Sequence, residues 1–297
     1  MNQRALPTGT KSVSMAIPTA LGEVINIRWN LQQLFDTYDQ INITFDPKIY
    51  WSEVMNTHLP DWPEKEAKLN KLCSELGNLL FTEKPFTFGM YLPYPRLYHA
   101  GYLIDDWKLT PKMPQMAKYL CKGTPLNIGD YVVITTKVRE VPKARYDQNK
   151  QELYDLLKKI SESYPIVILG ERILEIRKEY VILQQNNTLF CLYDDLINAI
   201  PKDRVIDLTK SALSETVSSL AEVQQDCLIM QNALATITVG IGGNFLLATS
   251  SEGKHIAFRD DNYAGTPFCD IHCQSAVNSK ISKGDWSNFI ENIKAII

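Results

Sequence analysis

The run "TVGIGGNFLLATSS" carries Gly240, Gly242 and Gly243 where an apolar, strand-like stretch hands over to a helix-like one. Such a corner has two readings. One is a tight turn whose backbone angles only glycine adopts freely. The other is close approach of a ligand, because a helix N-terminus behind a glycine turn offers its N–H groups to phosphate. On the second reading Gly242, Gly243 and Asn244 serve a diphosphate, with Asn244 the expected N-cap. Two cations, Lys137 and Arg139, close the run "YVVITTKVRE" and share a face if one strand extends that far. Lys137 is the preferred phosphate contact of the two, and an exposed basic strand end is the alternative for both. Arg172 follows "PIVILGE" at another strand end, where open α/β sheets bind ligands. A salt bridge to Glu171 or Glu175 accounts for it equally well.

Carboxylates come next. Glu23 follows Gly22 in "AIPTALGEVINIRWNL". A glutamate in the first turn of a helix favours the helix dipole, and one beside a cleft can act as general base. The strand end "VIDLT" offers Ile206, Asp207, Leu208 and Thr209 as surroundings for a nucleobase or ribose, unless Thr209 simply caps the next helix. Asp260 and Asp261 read as solvated loop acids or as contacts to sugar hydroxyls. No Asp-x-Asp occurs, so a metal bridged by two carboxylates at that spacing is not expected, and no cofactor is. "CDIHC", Cys269 to Cys273, lacks a second ligand pair at zinc-like spacing. Nucleophile-elbow, P-loop and HExxH motifs are absent, and His58, His99, His255 and His272 are dispersed and expected to be structural.

The elements that must hold these residues follow a repeating grammar. Strand-like "SVSMAI" and "INITFD" alternate with helix-like runs, among them "PEKEAKLNKLCSELGNLLF" with Leu69, Leu72, Leu76 and Leu79 on one face. From Thr82 to about Pro125 the pattern loosens into an aromatic, Pro- and Gly-rich stretch, read as either substrate-facing or a structural loop. After "CKGTPLNIGD" the grammar restarts: "YVVITT", a helix with Leu153, Leu156, Leu157 and Ile160 inward, "PIVILG", "RVIDLT", a Ser/Thr-led helix, "TITVG", "KHIAF" and the amphipathic "SNFIENIKAII". Alternating strands and helices predict an α/β chain with parallel sheets. Two such units are expected, residues 1–122 and 123–297, with the cleft between them as the ligand site.

With 297 residues, 45% hydrophobic and 22% charged, the chain falls in the ordinary globular class. Its formal net charge of −3 gives no broad basic field for nucleic acid. The six cysteines are scattered, which suits a reducing compartment. No run approaches the roughly 18 apolar residues of a spanning helix and no leader is evident, so a cytoplasmic protein, at most peripheral to a membrane, is expected.

In order and spacing, four of these stretches resemble the GT-B glycosyltransferases, in particular the heptosyltransferase-like group called glycosyltransferase family 9. They are "AIPTALGEVINIRWNL", "YVVITTKVRE", "VIDLTKSALSETVSSL" and "ATITVGIGGNFLLA". The resemblance implies two Rossmann-like domains facing across a cleft, with the C-terminal helix packing back towards the N-terminal domain. It implies a first domain for a glycan or lipid-linked acceptor and a second for a nucleotide-diphosphate sugar. Transfer would be inverting and metal-independent, with Glu23 where the family places its catalytic acid residue, usually Asp. Lys137, Arg139, Arg172, Asp207, Leu208, Thr209, Gly242, Gly243 and Asn244 would then meet the donor. The family's acid–small–glycine sequence at the glycine turn is replaced here by "GIGGN". Alternatives are a protein that binds a nucleotide sugar without turning it over, or an epimerase or hydrolase on the same fold. A dehydrogenase fits less well, because G-x-G-x-x-G does not follow a first strand.

Overall fold

The computed structural model describes residues 12–17, 22, 24–25, 39–45, 62–80, 86–88, 116–172, 187–210, 219–260 and 278–296. Near the N-terminus, β1 (Ser12–Ile17), β2 (Gln40–Phe45) and β3 (Phe86–Phe88) form a parallel sheet in the order β1-β2-β3. Helix α1 (Trp62–Leu80) lies between β2 and β3 in sequence. It turns Leu72, Cys73, Leu76 and Leu80 inward, as the leucine spacing predicts for two of them.

The second sheet is built from β4 (Val132–Thr135), β6 (Ile166–Leu169), β8 (Val205–Asp207), β9 (Ala235–Val239), β10 (His255–Arg259) and β11 (Ser279–Lys283). All of its pairings are parallel, in the order β11-β10-β9-β4-β6-β8. Counted from its own first strand, that is 3-2-1-4-5-6, the doubly wound arrangement whose direction reverses between the first and fourth strands. Here the reversal falls between β4 and β9. Strands β4, β6 and β9 are buried throughout, as expected of a parallel sheet covered on both faces.

One face is covered by α3 (Lys143–Ser163), α4 (Tyr193–Ala199) and α7 (Trp286–Lys294); α4 leads on to β8 across a 3-10 turn at Lys202–Arg204. Leu153, Leu156, Leu157 and Ile160 of α3 point into this core, as the periodicity predicts. The opposite face carries α5 (Leu220–Asn232) and α6 (Gly243–Ser250). Helix α5 begins with a capping box, Ser219 and Glu222 each satisfying the other's main-chain N–H. Into this second core also pack α1, Val24, Ile25 and the short α2 (Ala117–Leu120), so that apolar residues from the first 122 positions share a core with α5 and α6.

Among the described residues, α7 lies on β10, β11 and α3, with Trp286, Phe289, Ile290 and Ile293 in the core of its own sheet. One expectation is corrected: the run "VVITTKVRE" is not one strand. Thr136 interrupts it, its amide donating to Leu169 O and its carbonyl accepting from Leu192 N, and β5 (Lys137–Arg139) then pairs antiparallel with β7 (Leu189–Cys191). No described helix is long and apolar enough to cross a membrane.

Candidate functional site

The glycine corner sits at the carboxyl end of β9, next to β4, at the point where the sheet's winding reverses. Each glycine has its own reason. Gly240 has φ 82, and a side chain there would strike the Arg139 main chain, with its carbonyl oxygen 2.2 Å from the would-be Cβ. Gly242 has φ 133 and ψ −161, a region open essentially to glycine alone. It is the N-cap of α6, and no side chain caps that helix. The sequence expectation of an Asn244 N-cap is therefore corrected. The glycine-only angles at 242 start the helix two residues earlier, and Asn244 lies inside it, with Nδ2 3.2 Å from the position a Cβ on Gly170 would take.

Gly243 is different. Neither a positive φ nor a described neighbour requires its missing side chain, since a Cβ there would meet none of the described residues within 4 Å. Glycine at this place leaves open space over the first turn of α6. The first intrahelical bond of that turn runs from Leu246 N to Gly242 O at 3.0 Å, so the amides of residues 243, 244 and 245 come before the ladder begins. These amides and the helix dipole suit an anion.

The cations flanking the corner divide. Arg139 lies along it: its main chain bridges Gly240, its carbonyl accepts from Ile241 N at 3.0 Å, and its Cδ is 3.3 Å from the place of a Gly242 Cβ. Its Nε donates to Glu140 Oε1 at 3.0 Å, and its side chain is 34% exposed against 6% for Glu140. Lys137 instead faces Glu171, Nζ to Oε1 3.6 Å, with both side chains mostly covered. The two basic side chains do share a face of β5, but Arg139 is the one that runs beside the corner.

A second cluster stands at the ends of β6 and β8. Arg172 Nη2 meets Asp207 Oδ2 at 2.9 Å and its Nε donates to Thr209 Oγ1 at 2.9 Å. Tyr193 Oη donates to Asp207 Oδ2 at 2.7 Å, and the Thr209 amide and hydroxyl both donate to Oδ1. Burial pushes the Asp207 carboxyl up, but the bonds from Thr209 and Tyr193, with Arg172 beside them, outweigh it and hold the group below its usual range. The Arg172 guanidinium lies 5.3 Å from the centre of the Tyr193 ring. The structure thus joins three of the expected residues, Arg172, Asp207 and Thr209, in one ion-paired knot; among the described residues Arg172 pairs with Asp207, whereas the sequence offered Glu171 or Glu175. Leu208 and Ile206 are partly buried against the α5–α6 core.

Other expectations fall out as follows. Asp260 is not a solvated loop acid: it is 1% exposed and clamped by Arg145 of α3, Nη1 to Oδ2 2.6 Å. The same guanidinium donates to Gly284 O and lies 5.3 Å from the centre of the Phe258 ring. His255 is structural, fully buried between Thr238 Oγ1 at 2.8 Å and Ser279 Oγ at 3.2 Å, with the Phe245 ring at its edge. Burial pulls its pKa down to about 3. Among the described residues no cluster of acids, cysteines and histidines could hold a metal. Glu23, Asp261 and Cys269 to Cys273 lie outside the described residues. Of the described residues that flank position 23 in sequence, a Cβ on Gly22 would come within 2.9 Å of Leu246 Cδ1, and Val24 and Ile25 are fully buried in the core that contains α6.

One residue escaped the sequence reading. Thr135 ends β4 and alternates onto the face of Val133, the side covered by α6. It is 1% exposed, and its Oγ1 is buried without a hydrogen-bond partner among the described residues. An orphaned hydroxyl of this kind calls for an explanation. Its place beside the winding reversal is a signal visible only once the strand order is known.

No family model matches the chain, and no curated protein sequence does. Two solved structures align along most of it. ADP-heptose lps heptosyltransferase II from E. coli is 12% identical with a TM-score of 0.47, over 95% of this chain and 98% of that one. The glycosyltransferase SnogD from Streptomyces nogalater is 9% identical with a TM-score of 0.30, over 93% of this chain and 73% of that one. At these values neither likeness carries weight for fold or function.

Proposed function

We propose that the protein is a glycosyltransferase that takes its sugar from a nucleotide-diphosphate donor. Gly243 carries this reading: among the described residues, a glycine that neither backbone nor packing requires leaves space over a helix start that no side chain caps, at the winding reversal of a 3-2-1-4-5-6 sheet. A diphosphate in that space accepts from the α6 amides, with Arg139 alongside and the orphaned Thr135 hydroxyl on the same side of the sheet. As the bond to the sugar breaks, the leaving diphosphate gains charge, and fixed dipoles with a guanidinium stabilise it without a metal ion.

On this reading residues 123–297 hold the donor and residues 1–122 hold the acceptor, a glycan or lipid-linked sugar, across a GT-B-type cleft. The nucleoside extends from the corner towards β6 and β8, where Arg172, Asp207, Leu208 and Thr209 stand. Glu23 removes the acceptor's proton, giving inversion at the anomeric carbon. What supports its placement is the packing of Gly22 against Leu246, within the first turn of the helix that opens at the corner. Slow hydrolysis of ADP-, UDP- and GDP-sugars without acceptor, in the presence of a chelator, tests the activity. Hydrolysis of one donor, much slower in Glu23→Gln, is the expected outcome. Tight donor binding with no turnover would leave a non-catalytic binder, and activity restored only by manganese would refute the metal-free mechanism.

A further inference from the structure

Neighbouring side chains in a strand point to opposite faces, yet the carboxylate of Glu140 reaches back to the residue before it, Oε1 to Arg139 Nε 3.0 Å. The backbone makes this possible. Glu140 has φ 65, a left-handed conformation uncommon outside glycine, asparagine and aspartate. It is held there from both sides. Its amide donates to Thr188 O at 2.6 Å, and the preceding residue is bound to the glycine corner through Gly240 and Ile241. The Glu140 side chain is 6% exposed and the Arg139 side chain 34%. A charge-bearing residue in a strained conformation, buried behind an accessible cation, serves the cation. A guanidinium gripped at Nε keeps a fixed plane and directs its Nη edge.

We propose, on the basis of the diphosphate reading above, that Glu140 is a positioning residue whose carboxylate orients the Arg139 guanidinium onto the phosphate seated at the glycine corner. Glu140 touches no substrate; it acts through Arg139. Calorimetric titration with ADP, UDP and GDP, and with adenosine, uridine and guanosine, tests this on the full chain. Glu140→Ala weakens the diphosphate that the wild type binds by about tenfold and leaves the matching nucleoside unaffected. Glu140→Gln, which keeps an accepting oxygen, loses less. Arg139→Ala loses at least as much as Glu140→Ala, and the double variant loses no more than Arg139→Ala alone. Should Glu140→Ala fail to fold, Glu140→Gly takes its place, since glycine adopts φ 65 without strain. Wild-type binding with a Glu140 effect that is absent, or fully additive with that of Arg139→Ala, overturns the inference and leaves the diphosphate reading standing. A wild type that binds none of the three diphosphates overturns both.

Discussion

The Arg139 main chain passes so close to Gly240 that a Cβ on the glycine would lie 2.2 Å from the Arg139 carbonyl oxygen and 2.9 Å from its nitrogen. That contact sews β5 to the end of β9 and sets the cation beside the glycine corner. Because φ at Gly240 is 82 as well, Gly240→Ala meets both a clash and a strained backbone. A loss on the order of 2–4 kcal/mol in urea denaturation is expected. An unchanged midpoint would show that the two strands separate at little cost.

Gly243→Ala behaves in the opposite way. Alanine finds open space there and is the better helix former, so stability is unchanged or rises by up to about 1 kcal/mol. Its methyl group enters the space assigned to the diphosphate. Thermal melting without ligand, followed by melting with nucleotide diphosphates, separates the two effects: a protein that folds as well as the wild type but has lost its nucleotide-induced shift.

His255 predicts a pH dependence. Burial lowers its pKa from the ordinary value of 6.5 to about 3, so below pH 6.5 the unfolded chain takes up a proton that the native state refuses. Stability therefore falls as pH drops from about 6.5 towards 3, with a limiting slope of about 1.4 kcal/mol per pH unit from this group. Denaturation between pH 6.5 and 4.5, above the usual carboxylate range, samples it, and comparison with a variant assigns it. His255→Gln is expected to be flatter over that window, and parallel curves for the two proteins would assign the acid sensitivity elsewhere.

Arg145 and Asp260 give a fourth test. Removing the guanidinium takes from a buried carboxylate the ion pair that α3 supplies, and Arg145→Leu is expected to cost on the order of 3 kcal/mol. Adding Asp260→Asn to that variant recovers part of the loss, because a neutral amide tolerates burial better. A double variant less stable than the single one would argue against the buried charge as the cause.

Much of the scaffold was legible because local pattern and tertiary role agree. Helix α3 shows its inward leucines at helical spacing, and "PIVILG" and "TITVG" are apolar enough to be strands buried on both faces. The corner could be placed because glycine, strand end and helix start adjoin in sequence. What escaped the reading depends on distant partners. The break at Thr136 needs Leu169 and Leu192, the knot at Arg172 needs Asp207, and Asp260 owes its burial to Arg145, 115 positions earlier. Nothing in "TTKVRE" reveals that Glu140 takes a left-handed turn and faces Arg139.

The backbone amides of the corner can be observed directly by NMR. On titration with ADP, UDP and GDP, the amide resonances of Gly243 and Asn244 are predicted to show the largest saturable shifts with at least one nucleotide and to stay still with the matching nucleoside. Saturable shifts confined to other parts of the chain, or none with any of the three, would contradict a diphosphate held at the start of α6.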